Sequence, residues 1–369
     1  MTNADVLIIG GGAAGLMCAI TAAGRGRNVI VLEGSNRVGK KILMSGGGRC
    51  NFTNLYCEPS NFLSHNAHFC KSALSRYTQH DFIALVARHG IAYHEKTAGQ
   101  LFCDKSSKDI VAMLQNECDT AGVHIITDSE IQSVAFNEVY QVDCGSGKFT
   151  APSLVVASGG LSIPKMGATG FGYDIARQFG LKVFETHAGL VPFTFTGALH
   201  ELMENLSGIS LRASVTANST TFVEDILFTH RGLSGPAILQ ASSFWSPGDT
   251  IEIDLLPGID ASELLVTTKA EQPRALLRTV LAAHLARALV VELPDHLWRR
   301  RAEPPLAEQS NDSLRELGRT LNRWVIKPAA TEGYRTAEVT LGGVDTNELS
   351  SKTMETHRQP GLYFIGEVV

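Results

Sequence analysis

Gly10, Gly12 and Gly15 stand in the spacing Gly-x-Gly-x-x-Gly near the start of the chain, and Glu33 follows 18 residues after the last of them. In that spacing the first glycine permits a tight turn and the second lets backbone approach a pyrophosphate. The third lets a helix pack closely on a strand. A helix starting there offers unpaired N–H groups and the positive end of its dipole to phosphate. A carboxylate at the end of the next strand accepts hydrogen bonds from ribose hydroxyls and repels a 2′-phosphate. The chemistry implied is dinucleotide binding, with NADP disfavoured at this particular site.

Such a motif has weight only between a buried strand and a helix. Residues 5–9 form a short apolar run suited to a strand buried on both faces of a parallel sheet. A small-residue helix is expected over 16–23, ended by Gly24 and Gly26, and a second strand over 28–33. Helical patterns follow over 70–89 and 107–121, and strands near 124–127, 131–136, 141–144 and 154–160. A helix near 173–179 closes this block. From about residue 189 alternating segments at 210–215, 221–228 and 250–255 mark a β-rich stretch holding one helix, 234–245. Residues 260–327 read as mostly helical, and the chain turns β-like again after Glu332.

Composition narrows the class. Hydrophobic residues make up 44% and charged residues 19%, which excludes a disordered or collagen-like chain. The 369 residues suggest two or three domains, and a net charge of −5 gives no general attraction to nucleic acid or anionic membrane. All seven cysteines lie in the first 144 residues without a CxxC pair or zinc spacing, as in a reduced protein with no metal site. With no apolar run near the ~18 residues that span a bilayer and no basic n-region before an h-region, a soluble cytoplasmic protein is expected.

Three further segments favour FAD over NAD. Residues 40–51 carry consecutive glycines, Gly46 to Gly48, able to lie against a flavin ring, and Arg37, Lys40, Lys41 and Arg49 can serve phosphates. Residues 154–160 and 361–367 have the form of strands that return a chain to such a site. A second Gly-x-Gly-x-x-Gly after a strand is missing, so no dedicated NAD(P)H domain is expected. Without a CxxC pair, disulfide reduction is disfavoured. Reduction of a C=C bond and oxidation of an amine or alcohol remain open.

The sequence resembles the YhiN-type flavoproteins, a bacterial family in the broad glutathione-reductase-like FAD class. The residues that carry the resemblance are the glycine motif at 10–15, KILMSGGGRCNFTN at 41–54, FTHRGLSGP at 228–236, GYRTAEVTLGGV at 333–344 and GLYFIGE at 361–367. It implies an α/β protein whose discontinuous Rossmann-like FAD-binding domain, 1–188 with 335–369, carries a β-rich barrel-like insert, 189–258, and a helical subdomain, 259–334. It places Ala14, Glu33, Lys41, Gly46, Gly47, Asn51, Gly159, Gly366 and Glu367 near FAD, and Ile131 against adenine through its backbone. Members continue past the Gly366-Glu367 pair into a loop and a helix that supports the flavin pyrimidine end, whereas this sequence ends at Val369.

Relatives are associated with reducing conjugated C=C bonds, in a bile-acid intermediate and in uracil of large-subunit ribosomal RNA. An older label is aminoacetone oxidation. The expectation is therefore an FAD oxidoreductase with NAD(P)H as transient reductant, its best single substrate a uridine of 23S ribosomal RNA that becomes dihydrouridine. The alternatives are a small-molecule enone reductase or amine oxidase, and a flavin-binding protein without catalysis.

Hydride reaches the β-carbon of the reduced bond, so an acid must protonate the α-carbon. Cys50 is one candidate, its pKa lowered by Arg49, and a packed thiol is the alternative. His230 and Arg231 precede a helix and can bind an anionic or carbonyl group, with capping and a salt bridge as the alternative. Tyr334 and Arg335 are similar candidates. For RNA, Trp298 can stack on a base beside Arg299, Arg300 and Arg301, with Arg315, Arg319 and Arg323 along one helix face and Arg274, Arg278 and Arg287 nearby. The alternative is a solvated face paired with Glu271, Glu292, Asp295 and Glu316.

Overall fold

The computed structural model describes residues 1–297 and 304–369, so Trp298, Arg299, Arg300 and Arg301 lie outside the described residues. The chain forms two compact units, Met1–Thr186 with Gly342–Val369, and His187–Leu341.

In the first unit five parallel strands run in the order Leu362–Phe364, Ser153–Val156, Val6–Ile9, Val29–Leu32 and His124–Ile126. Leu154 is in register with Leu362 and Leu7, so strands from both ends of the chain share one sheet. Alternate residues point to opposite faces of a strand. Leu7, Ile9, Ile30, Leu32, Leu154 and Val156 enter one apolar cluster, while Ile8, Val29, Val31 and Val155 enter another. A sheet buried on both faces explains why these strands read as unbroken apolar runs.

The helix Ala13–Ala23 follows the first strand directly. A Cβ on Gly15 would lie 1.9 Å from the Gly10 carbonyl oxygen, so the helix meets the strand end without clearance. Gly10 has φ +106°, and a Cβ there would lie 2.4 Å from the Ala157 carbonyl oxygen. Helix Ser107–Ala121 packs on the same side through Ile110, Met113, Leu114 and Cys118. Two smaller sheets complete the unit. One is the antiparallel set Ile131–Asn137, Val139–Cys144 and Gly147–Ala151 with Thr2–Asn3 beside it. The other joins Asn51–Asn54, Gln100–Cys103 and Tyr93–Glu95.

One expectation needs correction. The helix expected over 70–89 is two helices, Lys71–Arg76 and Gln79–Arg88. Thr78 breaks it: its Oγ1 accepts from the Asp81 N–H, and Asp81 Oδ2 accepts from the Thr78 N–H at 2.7 Å, a reciprocal cap that starts a new helix. The glycine-bearing segment 40–51 opens with a short helix, Lys40–Met44. It then turns through left-handed Gly46, φ +57°, where a Cβ would lie 2.6 Å from the Asn51 nitrogen.

The second unit holds a seven-stranded sheet in the order Trp324–Ile326, Ile251–Asp254, Ser210–Ala217, Thr220–Thr229, Gly232–Ser234, Phe193–Thr194 and Ala330–Thr331. Every pairing in it is antiparallel. Helices Ala261–Glu271, Leu277–Leu281 and Asn311–Asn322 share one apolar core with this sheet. Segments 189–258 and 259–334 thus meet in a common core, and Trp324–Ile326 of the second pairs with Ile251–Asp254 of the first. Among the described residues no helix is long and apolar enough to cross a membrane.

The contact at Gly15 gives a stability prediction. Gly15→Ala should destabilise the protein by roughly 1–3 kcal/mol, the usual cost of overpacking. Gly12→Ala, whose added Cβ meets nothing within 4 Å, should stay within about 0.5 kcal/mol of the parent. Urea denaturation of the two variants checks this. Equal midpoints would contradict the assigned packing.

Candidate functional site

Beyond the carboxyl ends of the parallel strands the first unit encloses a cleft of about 450 Å³. This is where open α/β sheets bind ligands, because the loops there are free to diverge. Gly10 and Gly12 reach it after the first strand, Glu33 and Ser35 after the second, Ser158, Gly159, Gly160 and Ser162 after Ser153–Val156, and Gly366 and Glu367 after the last strand.

Its floor is bare backbone. Gly12 forms the N-terminus of helix Ala13–Ala23 with no side chain capping the first turn. Added Cβ atoms at Gly12 and Gly159 would meet nothing within 4 Å, and both residues line the cleft. Gly366 lies over the helix start, its would-be Cβ 2.8 Å from the Ala14 Cβ. A groove that side chains would fill, ending on an uncapped helix, suits the diphosphate of a dinucleotide.

Glu33 is held by backbone. Its Oε2 accepts from the Gly11 N–H at 2.7 Å and its Oε1 from the Ser35 N–H at 2.8 Å. A carboxylate has about four acceptor positions, so two bonds fix its orientation and leave capacity for ribose hydroxyls. Across the cleft, Lys41 Nζ pairs with Glu367 and donates to Ser162 Oγ at 2.6 Å, while Ser162 Oγ donates to Glu367 Oε1 at 3.0 Å. Lys41, expected near phosphate, is thus committed to a carboxylate. Arg37 and Lys40 also line the cleft and have no carboxylate within salt-bridge reach among the described residues.

Asn51 and Cys50 line the cleft as well. Burial pushes the Cys50 thiol above its ordinary value of 9.0, partly offset by a hydrogen bond with Ser45. The expectation that Arg49 lowers this pKa is therefore corrected. Arg49 is exposed, and desolvation dominates. The thiol stays neutral, which suits a proton donor better than a nucleophile.

Five expected cofactor residues do not line the cleft. Gly15 is spent on helix packing. Gly46 turns the backbone against Phe102, Gly47 is the left-handed residue after it, and Arg49 follows in the same turn. Ile131 packs against the core at the start of its strand. Conversely, Ser162, Phe52, Phe82 and Met17 line the cleft without having been singled out from sequence. The Gly159-Gly160 pair was the available signal for Ser162. Phe82 lies on the amphipathic helix Gln79–Arg88.

His230 and Arg231 belong to the second unit, on the exposed turn between Thr220–Thr229 and Gly232–Ser234. Thr229 Oγ1 accepts from the N–H groups of Arg231 and Gly232, and Arg231 lies 3.9 Å from Glu332. The helix that follows begins at Pro236, so neither residue caps it. Tyr334 and Arg335 form a 3-10 turn with Gly333 in the same unit. On the helix Asn311–Asn322, Arg315 pairs with Asp312, and just past it Arg323 makes a two-bond pair with Glu252. These partners differ from the four acids expected.

A model of the HI0933-like protein Rossmann domain matches residues 4–369. A protein of Escherichia coli strain K12 named ribosomal RNA dihydrouridine synthase is 51% identical over 379 residues, covering 100% of this chain and 92% of that protein. One of the same name from Haemophilus influenzae is 47% identical, covering 98% of this chain and 91% of its own. A 3-dehydro-bile acid delta(4,6)-reductase of Clostridium scindens is 27% identical, covering 98% and 92%. The chain belongs to the HI0933-like family of Rossmann proteins, and the resemblance read from its motifs is borne out.

The raised thiol predicts slow chemistry at Cys50. Alkylation by iodoacetamide, mapped by peptide mass spectrometry, should be slight at neutral pH and climb only above the ordinary value of 9.0, where the thiolate forms. Labelling at neutral pH as fast as that of free glutathione would contradict the assignment.

Proposed function

We propose that this member of the HI0933-like family holds FAD in the cleft and uses NAD(P)H to reduce the C=C bond of a uridine in 23S ribosomal RNA, giving dihydrouridine. The observation that carries the reading is the identity, near one residue in two over 98% or more of this chain, to proteins named ribosomal RNA dihydrouridine synthases. The balance is uridine plus NAD(P)H plus a proton, giving dihydrouridine and NAD(P)⁺. When bound, FAD supplies the two-electron relay between the nicotinamide and the C=C bond.

The chain's own residues do the rest. Gly12, Ala14 and Gly159 admit the diphosphate to the helix N-terminus, with Gly10 and Gly366 shaping the loops around it. Arg37 and Lys40 balance its charge. Glu33 accepts from the ribose hydroxyls and rejects a 2′-phosphate, so NADPH, if used, binds elsewhere. The Lys41–Ser162–Glu367 cluster ties three segments together at the cleft and presents Lys41 as a fixed cation. Asn51 and the Phe52 and Phe82 rings wall the cleft. Cys50, neutral and lining it, is the donor we assign to the α-carbon. A ribosomal substrate implies a cytoplasmic site of action.

The relative named a bile-acid reductase favours a second reading, a small-molecule enone as substrate with the same cleft and cofactor. That reading requires turnover of a free enone by purified protein and NAD(P)H in the absence of RNA.

Two outcomes follow. Deleting the gene should remove one dihydrouridine from 23S ribosomal RNA, read by mass spectrometry as the loss of two hydrogens from one fragment. Unchanged RNA would sink the RNA substrate. Gly12→Val, filling the open floor, should purify folded but colourless, with FAD affinity lowered roughly 100-fold or more, as expected from blocking a helix-terminus phosphate site. Yellow protein with parental FAD content would remove Gly12 from the site.

A further inference from the structure

We propose that the three-stranded sheet Asn51–Asn54, Gln100–Cys103 and Tyr93–Glu95, with its turns, is the surface on which single-stranded RNA docks beside the cleft. The choice of RNA as occupant rests on the substrate reading above.

Charge is the first observation. Residues 37–108 hold ten Lys and Arg against four Asp and Glu, in a chain whose net charge is −5. Three of those four acids are committed locally. Asp81 accepts from Thr78, Glu95 from the Gly99 N–H, and Asp104 is 2.7 Å from His94. The exposed cations Arg49, Lys71, Lys96, Lys105 and Lys108 have no carboxylate within salt-bridge reach among the described residues. Lys96 and Lys105 stand on the Tyr93–Cys103 hairpin itself, in its turn and just after its last strand, and a few local cations are enough for phosphate contacts on an acidic protein.

Exposed aromatic rings on the same elements are the second. Tyr56 is 67% exposed although it rests on the tip of the Tyr93–Cys103 hairpin, where a Cβ on Gly99 would lie 2.6 Å from its ring. The Leu55 N–H donates to the Gly99 carbonyl and the Tyr56 N–H to Asn54 Oδ1, so the ring is seated by backbone. Lys96 stands in the same turn, 5.2 Å over the Phe102 ring. At the far end of the hairpin Tyr93, 37% exposed, meets Phe52 edge-on at 5.5 Å. Lys105 follows the last strand there.

Phe52 and Phe82, 6.0 Å apart, line the cleft itself. Tyr93, Phe52 and Phe82 therefore make a continuous aromatic path from the exposed sheet to the site. Aromatic rings that carry successive bases, flanked by cations that track the backbone, are how single strands are held without sequence readout. A duplex would leave the rings unused, and an acidic peptide would use the cations alone.

The test uses the full-length FAD-loaded protein and a fluorescent oligouridine, followed by anisotropy at low and near-physiological salt. The double variant Lys96→Glu, Lys105→Glu should bind about 10-fold more weakly, with a salt slope smaller by roughly one to two. Tyr56→Ala should lose roughly 5-fold or more at both salts. FAD absorbance and melting temperature should match the parent in all variants, which separates docking from folding. Parental affinity in both variants would overturn the proposal. So would failure of the parent to bind oligouridine, or equal competition by polyglutamate.

The same variants placed in a deletion strain keep the two readings apart. If the parent gene restores no dihydrouridine while the variants still lose oligouridine affinity, the substrate reading fails and the surface stands. If parent and variants restore it alike and bind alike, the surface fails and the substrate reading stands.

Discussion

The helix Ala13–Ala23 reaches the strand ends only because Gly15 has no side chain. With the Gly10 carbonyl 1.9 Å from where a Cβ would be, any other residue would lift the helix off the sheet. The left-handed backbone at Gly10 and its contact with Ala157 impose the same demand on the neighbouring loop. From this close approach follows the position of the uncapped helix end, directly over the carboxyl ends of the strands. The sheet beneath can bear such a crossing because it is buried on both faces, alternate side chains feeding two separate cores. Cleft, phosphate groove and carboxylate all take their places from that contact.

Charge is arranged to suit an anionic ligand in an acidic protein. Glu33, whose charge opposes phosphate, is fixed by two backbone N–H groups, Gly11 and Ser35, which partly neutralise it. Glu367 is met by Lys41 and Ser162. What remains uncommitted on the cleft wall is cationic, Arg37 and Lys40, together with the helix dipole. Lys96 and Lys105, on the hairpin paired with the strand that carries Phe52, add cations beside the cleft in spite of the acidic net charge.

The α/β sheet was legible from sequence because its strands Val6–Ile9 and Val29–Leu32 are short, wholly apolar and soon followed by glycine, and the register at Leu7, Leu154 and Leu362 pairs such apolar runs. The residues expected around the dinucleotide divide by physical role. Gly10, Gly12, Ala14, Glu33, Gly159 and Gly366 line the cleft, whereas Gly15 and Gly46 serve the backbone that shapes it. Spacing cannot make that distinction, since both roles demand a missing side chain. Helix 70–89 was misread because its apolar period continues across Thr78, and only the reciprocal bond with Asp81 reveals the break. Ser162, Phe52 and Phe82 stayed hidden for another reason. Their importance comes from long-range contacts, such as Ser162 with Lys41 and Glu367, whose partners the neighbouring Gly159-Gly160 pair does not reveal.

One reconstitution tests the function most directly. Purified protein loaded with FAD is incubated anaerobically with NAD(P)H and unmodified, transcribed large-subunit ribosomal RNA, and the nuclease fragments are weighed. One uridine-containing fragment should gain two hydrogens, only when FAD, NAD(P)H and protein are all present. FAD that is reduced under these conditions while every fragment keeps its mass would contradict the assignment of ribosomal uridine as substrate.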